Sequence, residues 1–242
     1  MEKEQRNAIQ RAVKDARNLL EGDFGSQLLE VFDIDVAKAR VADGPGSHLD
    51  GEQRFLRSKL TAAIAHKQAA GNDLKEALLL FRREMAFTAL NRFVALKLME
   101  ARALVHECVS QGMQSSGFEE FTGLAPALLA DPEGSYQLFL QCLFEDVSRE
   151  VKVLFDPRDP ASLLWPRRAA LLELLEILNR PELAELWSED ETIGWVYQYF
   201  NGNDVKEMRD AVKGGAPRNS RELAVRNQFF TPRYVVEFLT DN

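Results

Sequence analysis

Apolar residues return every three or four positions along nearly the whole chain, the period of a helix with one buried face. In the first segment Ile9, Val13, Ala16 and Leu20 form such a stripe. The stretch "VADGPGSHLDGEQ" interrupts it, and Gly44-Pro45-Gly46 predicts a loop. From Glu52 to about Gln111 strong helix formers follow with hardly a breaker. There Phe87, Leu90, Val94, Leu98, Ala101 and Val105 trace one stripe, while Phe93, Leu96 and Met99 fall outside it. A helix apolar on more than one side is predicted to be surrounded by others. Six of the nine prolines (Pro126, Pro132, Pro157, Pro160, Pro166, Pro181) lie between 126 and 181, so that region predicts shorter helices with firm stops, and "DPRDPASLLWP" reads as a connector. Only "VKVLF" at 151–155 has even a weak strand pattern. With no strand–helix alternation and no repeat of fixed period, the pattern predicts an all-α fold.

The last quarter carries more punctuation. Ile193, Val196, Tyr197 and Phe200 share a helical face, and Gly202 suits the position just past a helix end. Asp204 with Glu207, and Asn219 with Glu222, have capping-box spacing around the loop "GGAPRNS". Thr231 and Pro232 are favoured N-cap and first-turn residues of a helix opening near 232. The sequence runs on only to Asn242, so that helix is opened and barely continued.

Composition narrows the function classes. The 242 residues are 45% hydrophobic and 28% charged, a soluble balance with ample material for a core. No apolar run approaches the ~18 residues of a membrane span, and the N-terminus lacks the apolar core of a signal peptide. Cys108 and Cys142 have no CxxC spacing, which fits a reducing cytoplasm better than a disulfide framework or zinc site. The net charge of −8 argues against general nucleic-acid binding. Between Asp204 and Arg233, however, seven bases (Lys206, Arg209, Lys213, Arg218, Arg221, Arg226, Arg233) stand against four acids. A solvated helical surface is the plainer reading of that strip, and a phosphate-facing one the sharper.

Catalytic constellations are scarce. His48, His66 and His106 are scattered with no metal-ligand spacing, and Gly44-Pro45-Gly46 follows no strand, so it does not read as a phosphate loop. Asp131 followed by Glu150-Val151-Lys152 has the acid-then-ExK order of metal-dependent nucleases. Such a site requires the two acids to converge, whereas the intervening Leu138, Cys142, Leu143, Val147 and Val151 have helical spacing. "IGWVYQYF" has the period of a core helix more than of a base-stacking surface. Asn91-Arg92, Lys97, Glu100 and Arg102 sit in the most apolar helix, where buried charge must be paired, and predict an internal polar network.

The segment "NQFFTPRYVVEFLTDN" resembles the element that opens the catalytic domain of amino-methylating adenine-specific DNA methyltransferases. "ARNLLEGDFGSQLLEVFDI", "NRFVALKLMEAR" and "DETIGWVYQYFN" narrow the resemblance to the N-terminal region of large phage-defence enzymes, the PglX-type methylases of BREX and the adenine methylases of DISARM. The resemblance implies a parent enzyme that moves a methyl group from S-adenosylmethionine to adenine N6 in double-stranded DNA, with other defence-system subunits as partners. It implies that Phe230, Thr231 and Pro232 border the cofactor, where a helix start offers free N–H groups to a carboxylate. Within the basic strip, Lys206, Arg209, Lys213, Arg218 and Arg221 are the candidate contacts to DNA phosphates. The Asn/Asp-Pro-Pro-aromatic tetrapeptide of that family is absent, since the sequence has no Pro-Pro, and so is the glycine-rich turn. The expectation is therefore a front piece, inactive alone and holding no catalytic residue, with a helical domain at 1–190 and a helical lead-in at 191–242. A helical adaptor that only contacts other proteins is the alternative, and the nuclease is a third reading.

Overall fold

A computed structural model gives the architecture, and the described residues are 1–44 and 46–211. Eight α-helices dominate them, with one two-stranded ribbon and four 3-10 segments, so the fold is all-α as the periodicity predicts. The helices are α1 Lys3–Glu30, α2 Gly51–Ala69, α3 Leu74–Ala101, α4 Ser116–Leu124, α5 Pro132–Val147, α6 Lys152–Phe155, α7 Arg168–Leu178 and α8 Thr192–Ala211. No helix among the described residues is long and apolar enough to cross a membrane. The backbone divides into two compact units, Ala16–Asn179 and Met1–Asp15 with the described residues from Arg180.

The larger unit is built around α3. Ala77, Leu78, Phe81, Met85, Leu90, Phe93, Val94 and Leu96 are all buried, and they spread round the helix as its two-sided apolar pattern requires. Helices α2 and α6 and the 3-10 turn Pro160–Ser162 pack on it. Two aromatic groups fill the centre. Phe144 stacks on Trp165 with centroids 5.2 Å apart and meets Phe93 edge-on at 5.8 Å, while Phe118 meets Tyr136 edge-on at 5.4 Å.

The predicted run from 52 to 111 is two helices, the second ending at Ala101, and residues 102–111 are turns and bends. Gly71 takes φ +99°, a left-handed conformation open to glycine, and Asp73 then caps α3 by accepting from the Glu76 amide at 2.8 Å. Asp50 and Gln53 form a reciprocal capping box that opens α2. Prolines in the 126–181 region start elements as well as limit them. Pro126, Pro132, Pro160 and Pro181 each occupy the first position of a helix or 3-10 turn, where the missing N–H costs nothing. "VKVLF" is not a strand: Lys152–Phe155 is one helical turn.

The only strands among the described residues lie just before the predicted loop, where no strand was expected. Ile34–Asp35 (β1) and Arg40–Val41 (β2) pair antiparallel, Ile34 opposite Val41. Asp35 accepts from the Lys38 amide at 2.9 Å and Ala39 turns the chain at φ +50°. The buried guanidinium of Arg57 fastens α2 to the ribbon's two ends, donating to the Phe32 carbonyl at 2.8 Å and the Ala42 carbonyl at 2.7 Å.

In the smaller unit Ala8, Ile9, Ala12 and Val13 of α1 are buried, as are Leu183, Leu186, Trp187, Val196 and Phe200. Arg180 pairs with Asp15 at 2.7 Å, and the Arg6 guanidinium lies 5.2 Å from the Trp195 ring centre. The buried face of α8 runs through Thr192, Val196 and Phe200, whereas Ile193 and Tyr197, predicted for that face, are about two-fifths exposed. Helix α8 also continues through Gly202 to Ala211, so Gly202 is not its end and Asp204 does not open a new helix. One interior glycine costs about 1 kcal/mol against alanine, too little to stop a helix whose following residues are adequate formers.

Candidate functional site

The cluster richest in chemistry hangs from α3. Lys97, Glu100, Cys108, Ser110 and Asn179 converge there, drawn from α3, the segment after it and the C-cap of α7. The Lys97 ammonium donates to Ser110 Oγ at 2.6 Å and to Asn179 Oδ1, and Asn179 Nδ2 donates to the Val109 carbonyl at 2.8 Å. The Glu100 carboxylate accepts the Val109 amide at 3.0 Å and the Ser110 amide at 3.1 Å. Cys108 Sγ lies 3.9 Å from that carboxylate, and the Tyr136 hydroxyl donates to the Cys108 carbonyl at 2.6 Å.

A lysine, a thiol and a carboxylate in contact invite a catalytic reading, but the electrostatics oppose it. Burial first, and the Glu100 charge second, push the Cys108 thiol up to about 12, which removes the thiolate a nucleophile needs. Burial lowers Lys97 from its ordinary value, with Glu100 acting in the opposite sense. The groups are paired among themselves and close the 102–111 segment against α3 and α7. Of the network predicted from Asn91, Arg92, Lys97, Glu100 and Arg102, Lys97 and Glu100 share this cluster, and Arg102 is exposed. Ser110 and Asn179 were not legible beforehand, because Asn179 lies 82 positions from Lys97.

Arg92 performs the same kind of task at the other side of α3. It donates to the Leu154 carbonyl at 2.8 Å and the Asp156 carbonyl at 3.0 Å, and lies 5.6 Å from the Phe144 ring centre. Beside it a cavity of about 20 Å³ is lined by Thr88, Phe93, Ser162 and Trp165, room for one water and for no cofactor.

The nuclease constellation does not form. Asp131 caps the N-terminus of α5 and pairs with Arg168 at 2.7 Å. Glu150 lies beyond the far end of that 16-residue helix, which at 1.5 Å per residue separates them by about 24 Å. His48 contacts the Val31 carbonyl at 3.0 Å, His106 faces Glu120 at 4.0 Å, and His66 stands exposed in the last turn of α2. No three His, Cys, Asp or Glu side chains gather as a metal site among the described residues. Lys206 and Arg209 fall on the backbone of α8. Lys213, Arg218, Arg221, Phe230, Thr231 and Pro232 lie outside the described residues.

No protein-family model matches the chain, and no solved structure matches it. Curated sequences do, and they define one class: the chain is similar to adenine-specific methyltransferases. One is the adenine-specific methyltransferase BrxX of Escherichia coli O9:H4 (strain HS), 36% identical over 88 residues that make up 35% of this chain and 7% of that protein. Another is the adenine-specific methyltransferase PglX of Lacticaseibacillus casei (strain Zhang), 23% identical over 238 residues, covering 81% of this chain and 18% of that protein. The resemblance carried by the four sequence segments is upheld at that level, and the chain spans less than a fifth of either relative.

Proposed function

We propose that this chain is the N-terminal helical part of a site-specific adenine-N6 DNA methyltransferase that draws its methyl group from S-adenosylmethionine in a prokaryotic phage-defence system. The observation that carries the reading is the alignment with PglX, which takes in 81% of this chain but 18% of the relative. The described residues, helical apart from one antiparallel ribbon, supply no parallel sheet on which a cofactor crevice is ordinarily built. In this reading a helical domain at 1–190 and a lead-in at 191–242 precede the sheet domain that flips adenine out of the duplex. Phe230, Thr231 and Pro232 border the methionine end of the cofactor. The basic strip Lys206, Arg209, Lys213, Arg218 and Arg221 follows DNA phosphates. Double-stranded DNA and other defence-system subunits are the partners, and the cytoplasm is the compartment.

The test is transfer of labelled methyl groups. A longer protein that continues this chain through a cofactor-binding domain is expected to yield N6-methyladenine in duplex DNA, and the 242-residue chain alone none. Methylation by the chain alone, or of cytosine by the longer protein, would contradict the reading.

A further inference from the structure

In this acidic chain the longest run without Asp or Glu is Gln53–Asn72, 20 residues that contain Arg54, Arg57, Lys59 and Lys67. It coincides with almost all of α2. Two of the four cations have internal work: Arg57 is buried as the strut to the ribbon, and Lys67 pairs with Glu84. The other two point outward. Arg54 and Lys59 are exposed, and no ion pair with an acid holds either among the described residues. Between them Phe55 is 62% exposed, with the Lys59 ammonium 4.7 Å from its ring centre. The outer face continues with the exposed small residues Ser58, Ala62 and Ala65. The one acid on α2, Glu52, sits in the first turn at the end of this face. Arg40, exposed, adds charge on the ribbon that Arg57 ties to the same helix, while Lys38 beside it pairs with Asp35 at 4.0 Å.

Outward cations without acid partners, on a face otherwise formed by Phe55 and small side chains, are a local exception to the net charge of −8 and are placed for a polyanion. We infer that the outer face of α2, through Arg54 and Lys59, with Phe55 holding the Lys59 ammonium, is a surface that follows the phosphates of double-stranded DNA. The inference takes its ligand from the methyltransferase reading but locates the contact on residues that reading does not use. It adds a phosphate track distinct in sequence from the strip beginning at Lys206.

Anisotropy of a fluorescent duplex titrated with the 242-residue chain, at salt between about 50 and 200 mM, tests it. Wild type is expected to bind with a marked salt slope. The pair Arg54→Glu with Lys59→Glu should bind about tenfold more weakly or worse and lower the slope by about two, one for each cation that no longer faces a phosphate. Arg54→Lys should restore most of the binding that Arg54→Glu removes, and the pair Lys206→Glu with Arg209→Glu serves as comparison. If charge reversal alters the melting curve, Arg54→Gln with Lys59→Gln replaces it, since neutral exposed side chains leave the helix intact. Unchanged affinity and slope in the α2 variants would overturn the inference. So would polyglutamate competing as well as DNA, which would assign the face to an acidic protein. A longer protein that methylates DNA and ignores the α2 exchanges would remove this surface and leave the methyltransferase reading standing. Binding through Arg54 and Lys59 without any methylation would do the reverse.

Discussion

At the scale of single residues, the charges inside the larger unit act as ties. Glu100 accepts two backbone amides that no helix or strand satisfies, so Glu100→Ala leaves both donors without their acceptor and removes a charge that favours the Lys97 ammonium. We expect the two orphaned amides to cost about 2–4 kcal/mol in urea unfolding, and a smaller loss for Glu100→Gln, which retains one acceptor oxygen. A catalytic role would predict the opposite, a stable variant with altered chemistry. The same cluster sets an alkaline limit. Cys108 moves from an ordinary 9.0 to about 12, and burial raises the Tyr136 hydroxyl as well. In both groups the folded state keeps the proton more tightly than the unfolded chain. Their contribution is therefore complete below about pH 9 and declines as pH rises towards 12. Lys97, lowered by burial, works in the other direction and offsets part of the decline. The denaturant midpoint should fall progressively above pH 9, and Cys108→Ala should make that fall shallower. A midpoint as steep in Cys108→Ala as in wild type would show that the thiol contributes nothing to it.

At the scale of elements, the two glycines that punctuate helices behave oppositely, and a substitution at each separates them. Gly71 holds φ +99°, so Gly71→Ala should cost about 1 kcal/mol or more, whatever the room around it. Gly202 lies inside α8 with nothing within 4 Å of an added Cβ. Gly202→Ala should therefore stabilise by about 0.5–1 kcal/mol, and a drop in melting temperature instead would mean that α8 ends there. This pair also shows what was readable from sequence. Periodicity located the buried stripe Ile9, Val13, Ala16 and Leu20 and the encirclement of α3, because burial of one face is a local property of spacing. It did not locate the break at Gly71, since "AAGND" between two helical runs resembles continued helix until the φ of one residue is known. The ribbon at Ile34–Val41 escaped for the same reason: two-residue strands are too short to show alternation. Of the polar groups on α3, Arg92, Lys97 and Glu100 were legible because charges in an apolar helix demand partners. Those partners, Ser110, Asn179 and two carbonyls near residue 155, come from distant segments that no pattern links.

At the scale of the whole molecule, the helical units described here and the proposed chemistry belong to different stretches of sequence, and the last prediction joins them. Thr231 and Pro232 have the residue types of an N-cap and first turn, and a helix start presents free N–H groups to an anion. In a longer protein that continues this chain, we expect that helix to aim its N-terminus at the methionine carboxylate of S-adenosylmethionine, with Phe230 against the cofactor. Thr231→Val preserves shape and removes the hydroxyl. Cap loss alone costs about 1 kcal/mol, so a lowered melting temperature cannot tell a cap from a pocket wall. Titration calorimetry on variant protein shown to be folded can. The pocket reading requires weaker cofactor binding while affinity for DNA stays nearly constant, because the phosphate contacts proposed on α2 and on the strip from Lys206 do not involve Thr231. If the folded variant binds S-adenosylmethionine as wild type does, Thr231 is a cap and nothing more. If DNA affinity falls in step with cofactor affinity, the two sites are coupled through this helix, and the separation of helical support from chemistry has to be given up.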